Sequence, residues 1–134
     1  MRNELVKTFN INPQSASRPI VSKYGVRYSK RYMEWKKDFA SLVGTSMGES
    51  YVLNGAITAT IFFYMPMPKS WSKKKQIMTN GEPHISKPDI DNLAKAVLDG
   101  ISGRYFKDDS QVHSLHAIKY WSNNPRITVI LKEV

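Results

Sequence analysis

The chain has 134 residues, with twenty Lys and Arg against eleven Asp and Glu, a net charge of +9 and no cysteine. Its length suits one domain spanning residues 1–134, the missing thiols exclude disulfides and thiolate-bound zinc, and a pI near 9.8 favours a polyanionic partner. No apolar run approaches a membrane span and no signal-peptide core opens the chain, so no membrane contact and a cytoplasmic location are expected.

Residues 4–11 alternate as a first strand, with Leu5, Phe9 and Ile11 on one side and Val6 on the other. Pro13 and Pro19 break the next stretch into a loop. Residues 18–31 then interleave Arg18, Lys23, Arg27, Lys30 and Arg31 with Tyr24 and Tyr28, and Gly25 offers a turn between two short extended pieces. Such a segment can hold phosphates and stack on exposed bases. A plain hairpin with a solvated charged face is the alternative.

Ser29 can cap a helix running to Met47, because Tyr32, Trp35, Phe39, Leu42, Val43 and Met47 recur at helical spacing. Residues 55–65 read as a central strand: Ile57, Ala59, Ile61, Phe63 and Met65 face one way, Thr58, Thr60, Phe62 and Tyr64 the other, and both faces carry apolar groups. Pro66 and Pro68 end it. The basic stretch that follows, with Lys69, Lys73, Lys74 and Lys75, suits a DNA backbone, or else a solvated loop or short helix. His84, His113 and His116 form no zinc pattern and read as surface or packing residues.

Residues 87–112 gather Asp89, Asp91, Asp99, Asp108 and Asp109. Five carboxylates so close together repel unless a cation sits among them, and a hard divalent metal is the obvious candidate. Pro88 blocks helix continuation from upstream, so the chain reaches Asp91 extended with Asp89 and Asp91 on one face. A helix starts about there, with Ile90, Leu93, Ala94, Val97, Leu98 and Ile101 as its apolar stripe and Gly100 and Gly103 as its stop. Asp91, Lys95 and Asp99 line one edge. The bland alternative is a helix cap at Asp89 or Asp91, a surface ion pair at Lys95 and a turn at Asp108-Asp109-Ser110.

Residues 112–121 and the alternating run through Ile127, Val129 and Leu131, with Arg126, Thr128 and Lys132 on the other side, read as strands joined at Asn123-Asn124-Pro125 into a C-terminal hairpin. No glycine-rich phosphate loop occurs, so no nucleotide cofactor is expected. The resulting fold class is α+β: a single domain with a mixed or mainly antiparallel sheet and two principal helices packed on it.

The string KPDIDNLAKAVLDG, followed by YFKDDSQV, closely resembles the RusA family of Holliday junction resolvases, and the similarity extends from PMPKSWSKKK to PRITVILKEV over the second half of the chain. The resemblance implies a metal-dependent endonuclease acting as a homodimer on four-way junction DNA, at the nucleoid during recombination. By position, the essential acids fall on Asp89, Asp91 and Asp109 and the motif lysine on Lys95, with Asp108 sharing or supporting the metal and Asp99 structural. The expected cofactor is Mg²⁺, with Mn²⁺ as a substitute. Two other readings compete: a nuclease for flaps or ordinary duplex, and a DNA-binding module whose Asp cluster is only structural.

Overall fold

The strand at residues 57–66 is flanked by partners on both sides. In the computed structural model, which describes residues 3–45 and 53–134, the elements in chain order are β1 (Glu4–Phe9), β2 (Ile20–Ser22), β3 (Gly25–Arg27), α1 (Lys30–Thr45), β4 (Ile57–Pro66), α2 (Lys73–Thr79), α3 (Ile90–Ile101), β5 (Val112–Ser122) and β6 (Arg126–Glu133). The main sheet has the order β1-β6-β4-β5, and β2 pairs with β3 in a separate ribbon. β4 runs parallel to β5 and antiparallel to β6. The sheet is therefore mixed, and the fold is α+β as expected.

Alternation along β4 decides which face is covered. Ile57, Ala59, Ile61, Phe63 and Met65 are buried, and Ile127, Val129 and Leu131 join them from β6. The helix side of this core comes from Tyr32, Trp35, Phe39 and Val43 of α1 and from Leu93, Ala94, Ala96, Val97 and Ile101 of α3. Thr58, Thr60, Phe62 and Tyr64 stay half-exposed on the other face. There Arg126 lies over the Tyr64 ring at 3.8 Å, and Tyr120 sits beside it. Ser29 caps α1 as anticipated, its hydroxyl accepting from the Tyr32 amide at 3.2 Å. Met47, the expected end of that helix, lies outside the described residues.

Two expectations need correction. The first is the C-terminal hairpin: β5 and β6 run antiparallel but do not pair, because β4 lies between them. Tyr64 is matched to Tyr120 on one side and Arg126 on the other. Strands two places apart are separated by ~9.6 Å, and the four steps from Ser122 to Arg126 reach up to ~14 Å, so the short turn suffices. It crosses β4 where Pro66 ends the ladder, held by the Asn124 amide on Ser122 Oγ at 3.0 Å and the Asn123 amide on Asn80 Oδ1 at 2.9 Å.

The second correction concerns Gly100, which does not stop α3. It lies within the helix, and a Cβ there would stand 2.5 Å from the Phe39 ring. The missing side chain lets α1 and α3 approach closely, while Gly103, at φ +79°, makes the turn after the Ser102 cap. Replacing Gly100 by Ala should cost about 1–3 kcal/mol through overpacking, although Ala favours a helix interior. Chemical denaturation checks this, and a variant at least as stable as the parent would remove Gly100 from the seam.

α2 is a short additional helix with no buried residue, opened by Ser72 accepting from the Lys75 amide. Among the described residues no helix is long and apolar enough to cross a membrane.

Candidate active site

β4 and β5 are parallel, so the chain must cross over between them, and the crossover delivers α3 to the sheet with its N-terminus near the end of β5. On the way, residues 81–84 run along the outer edge of β5: Gly81 donates to the Trp121 carbonyl, Trp121 to that of Glu82 and His84 to that of Lys119, at 2.8, 2.9 and 3.1 Å. This covers an otherwise open edge. Asp89 takes the N-cap position of α3 in extended conformation, and Asp91 lies in the first turn.

Asp89 makes no side-chain cap bond. Its carboxylate is 54% exposed and accepts from Lys87 Nζ at 2.8 Å. That hydrogen bond and the Lys87 charge, helped by Lys119, hold the carboxyl below its ordinary range, so it is charged at neutral pH. Asp89 and Asp91 line one open groove of about 770 Å³ together with Ser86, Lys87, Ile118 and Lys119. A helix N-terminus favours negative charge at Asp91.

Lys119 was not singled out from the sequence. Its Nζ donates to the carbonyls of Ser86 and Pro88 at 2.9 and 2.8 Å, tying the segment before Asp89 to the sheet. Burial lowers its pKa against the pull of Asp89. The missed signal was periodicity: Lys119 stands opposite buried Phe63, so it is a cation on the core-facing side of a strand.

The other two metal candidates lie elsewhere. Asp108 and Asp109 precede β5, where the Asp109 amide donates to Ser102 Oγ at 3.1 Å and the Asp108 amide to Gln111 Oε1 at 3.0 Å. Ser102 caps the far end of α3, and twelve helical residues span ~18 Å. The four proposed metal ligands thus fall into one pair at each end of α3. A hydrogen bond from Ser110 lowers the pKa of Asp108. Among the described residues no three Asp, Glu or His side chains converge as a metal cage. Lys95 pairs with Asp99 at 3.5 Å rather than with Asp91, and Asp99 faces the α1 seam, where its charge, after burial, raises the pKa of Tyr32.

The basic candidates occupy two surfaces. Lys23 lies between β2 and β3, Arg27 is on β3, and Arg18 and Lys30 flank a ribbon whose every residue is exposed, with Val21 at 76% and Tyr24 at 88%. Lys23 covers Tyr24, and Lys36 lies near both Tyr28 and Tyr32. Lys73, Lys74 and Lys75 open α2, with exposed Lys69 just before it. Of the histidines, His113 and His116 are exposed, whereas His84 is 6% exposed and packed against Trp121 at 4.2 Å. Burial lowers its pKa and keeps it neutral.

Residues 10–132 match the family model described as endodeoxyribonuclease RusA. The chain belongs to the RusA family of endodeoxyribonucleases. The match includes the β2–β3 ribbon and α1, so it reaches well beyond the half of the chain in which the motifs were legible. A relative, the uncharacterized protein YqaN of Bacillus subtilis (strain 168), is 34% identical over 102 residues, covering 73% of this chain and 72% of its own.

The Asp89–Asp91 groove fits a hard divalent cation in its donor chemistry. It offers exposed carboxylate oxygens, one held charged by its neighbours, and Mg²⁺ is commonly bound through one or two carboxylates together with waters and substrate phosphate.

Proposed function

We propose that this RusA-family endodeoxyribonuclease resolves four-way DNA junctions by paired strand cuts, acting as a homodimer with Mg²⁺, or Mn²⁺ in its place. The observation that carries the reading is the exposed Asp89–Asp91 pair on a groove walled by Lys87 and Lys119, in a chain of net charge +9. Carboxylates alone would repel DNA, so their place in so basic a protein makes sense with a cation between them and a phosphate.

Asp89 and Asp91 would hold the ion. A bound Mg²⁺ would supply Lewis-acid polarisation of the phosphate and a more acidic water. Lys119 positions Asp89 through the carbonyls it holds, and Lys87 neutralises that carboxylate in the free protein. Lys95, one turn beyond Asp91, is the nearest cation on that edge of α3 and is assigned to the scissile phosphate. Asp109, with Asp108, remains part of the proposed acidic set through the family motif. Lys69 and Lys73–Lys75 would grip the flanking backbone, and Arg18, Lys23, Arg27 and Lys30 the junction arms.

Incubating the protein with matched four-way junction, flap and duplex substrates tests this reading. Junctions should be cut in opposed strands, cutting should stop in chelator, and Mg²⁺ or Mn²⁺ should restore it. Equal cutting of linear duplex would remove the junction assignment, and full cutting in chelator the metal. Two related cuts need two sites, and a two-fold dimer supplies them. The half-exposed sheet face with Phe62 and Tyr64 offers it a surface. Light scattering should give about twice the 15.3 kDa chain mass, and a monomer that makes paired cuts in one binding event would defeat the dimer.

A further inference from the structure

A second cavity, of about 560 Å³, opens beside the acidic groove and shares His84, Ser86 and Lys87 with it as a common wall. We propose that this cavity is a nucleobase subsite, which takes one unstacked base from the strand whose phosphate lies at Asp89 and Asp91. The proposal rests on the nuclease reading above and adds to it a site for sequence or structure selection next to the cut.

Its volume falls in the range of small-ligand sites. Trp71, from the loop between β4 and α2, and Trp121, from the end of β5, stand 4.9 Å apart at 54°. The two indoles pack against each other in a tilted contact and both line the cavity, and every base has a face that can stack on such a ring. Trp71 is held before any ligand arrives: its amide donates to the Pro68 carbonyl, its carbonyl accepts from Gln76 Nε2 at 2.9 Å, and Lys75 Nζ lies 4.2 Å from the ring centre. The charged side chains of the lining are Arg31 and Lys87, both cationic. An aromatic floor, a cationic rim and no lining carboxylate suit a nucleotide and disfavour a cationic ligand. Contact with the acidic groove through three shared residues places the base within about a nucleotide of the phosphate at Asp89.

The test removes the base and the ring separately. An abasic residue is placed at each position within three nucleotides of the cut, and each junction is assayed with the parent protein, Trp71→Ala and Trp71→Phe. One position should show roughly a tenfold fall in kcat/KM with the parent protein. Trp71→Ala should lose a similar factor on intact DNA and nothing further on that abasic junction, and Trp71→Phe should recover most of the loss. Losses that multiply, or tolerance within twofold at every position, overturn the subsite. If no substrate is cut in Mg²⁺ the nuclease reading falls, and the same coupling is then read in junction Kd, where its absence, or absence of DNA binding, overturns the subsite independently.

Discussion

Replacing Asp91 by Asn should lower the single-turnover rate of junction cleavage by roughly two to three orders of magnitude, the scale of losing one electrostatic partner of a transition state. The substitution keeps the shape of the side chain and its place in the first turn of α3, so the fold and the groove persist. It removes one of two carboxylates from a groove in which no other acid lines the wall. Junction affinity measured in chelator should stay level or rise, because one negative charge has left a surface that meets phosphate. Wild-type cutting by the variant would dismiss Asp91 from the site. Asp109→Asn gives the contrast, since that residue stands at the far end of α3, held by Ser102. An equal loss there would require a second protomer to bring its carboxylate in, and mixed Asp91→Asn and Asp109→Asn chains would then recover part of the activity.

What the sequence revealed about α3 and β4 follows from periodicity. A stripe through Leu93, Val97 and Ile101 has one helical solution, and alternation through Ile57, Ile61 and Phe63 has one extended solution. Topology has no such local signature. Asn123-Asn124-Pro125 makes the same turn whether its strands pair directly or straddle β4, and only the full sheet decides. Gly100 looked like a stop because glycine often ends helices, yet its conformation there is helical and its use is the space claimed by Phe39. The acidic set is legible only in part. Spacing in the chain places Asp89 beside Asp91 correctly, but it carries no information on the 3₁₀ turn at Asp109–Gln111, which the body of α3 holds away from them. Lys119 escaped because it lies thirty residues from the motif it supports, and that link is made by its hydrogen bonds to the Ser86 and Pro88 carbonyls beside the contact of residues 81–84 with the edge of β5.

Changing Lys73, Lys74 and Lys75 together to Ala should weaken junction binding and flatten its dependence on salt. α2 buries none of its residues, so these lysines do not serve the core. They also crowd the first turn of a helix, where the backbone dipole disfavours cations, and nothing acidic sits in that turn to offset them. A stability role is therefore poorly served by their placement, whereas a polyanion lying across α2 would relieve the repulsion. Each phosphate contact contributes about 0.9 to the log-log salt slope on B-form DNA, so three contacts contribute about 2.7. Between 50 and 200 mM salt the parent affinity should then fall about fortyfold more than that of the triple variant. Thermal stability should hold or rise, because the lost charges opposed the helix. A slope unchanged by the triple substitution would leave these lysines to solubility and place the DNA path on the β2–β3 ribbon alone, while a slope reduced by about 0.9 would assign one of the three to the backbone, with Lys75 already engaged on Trp71.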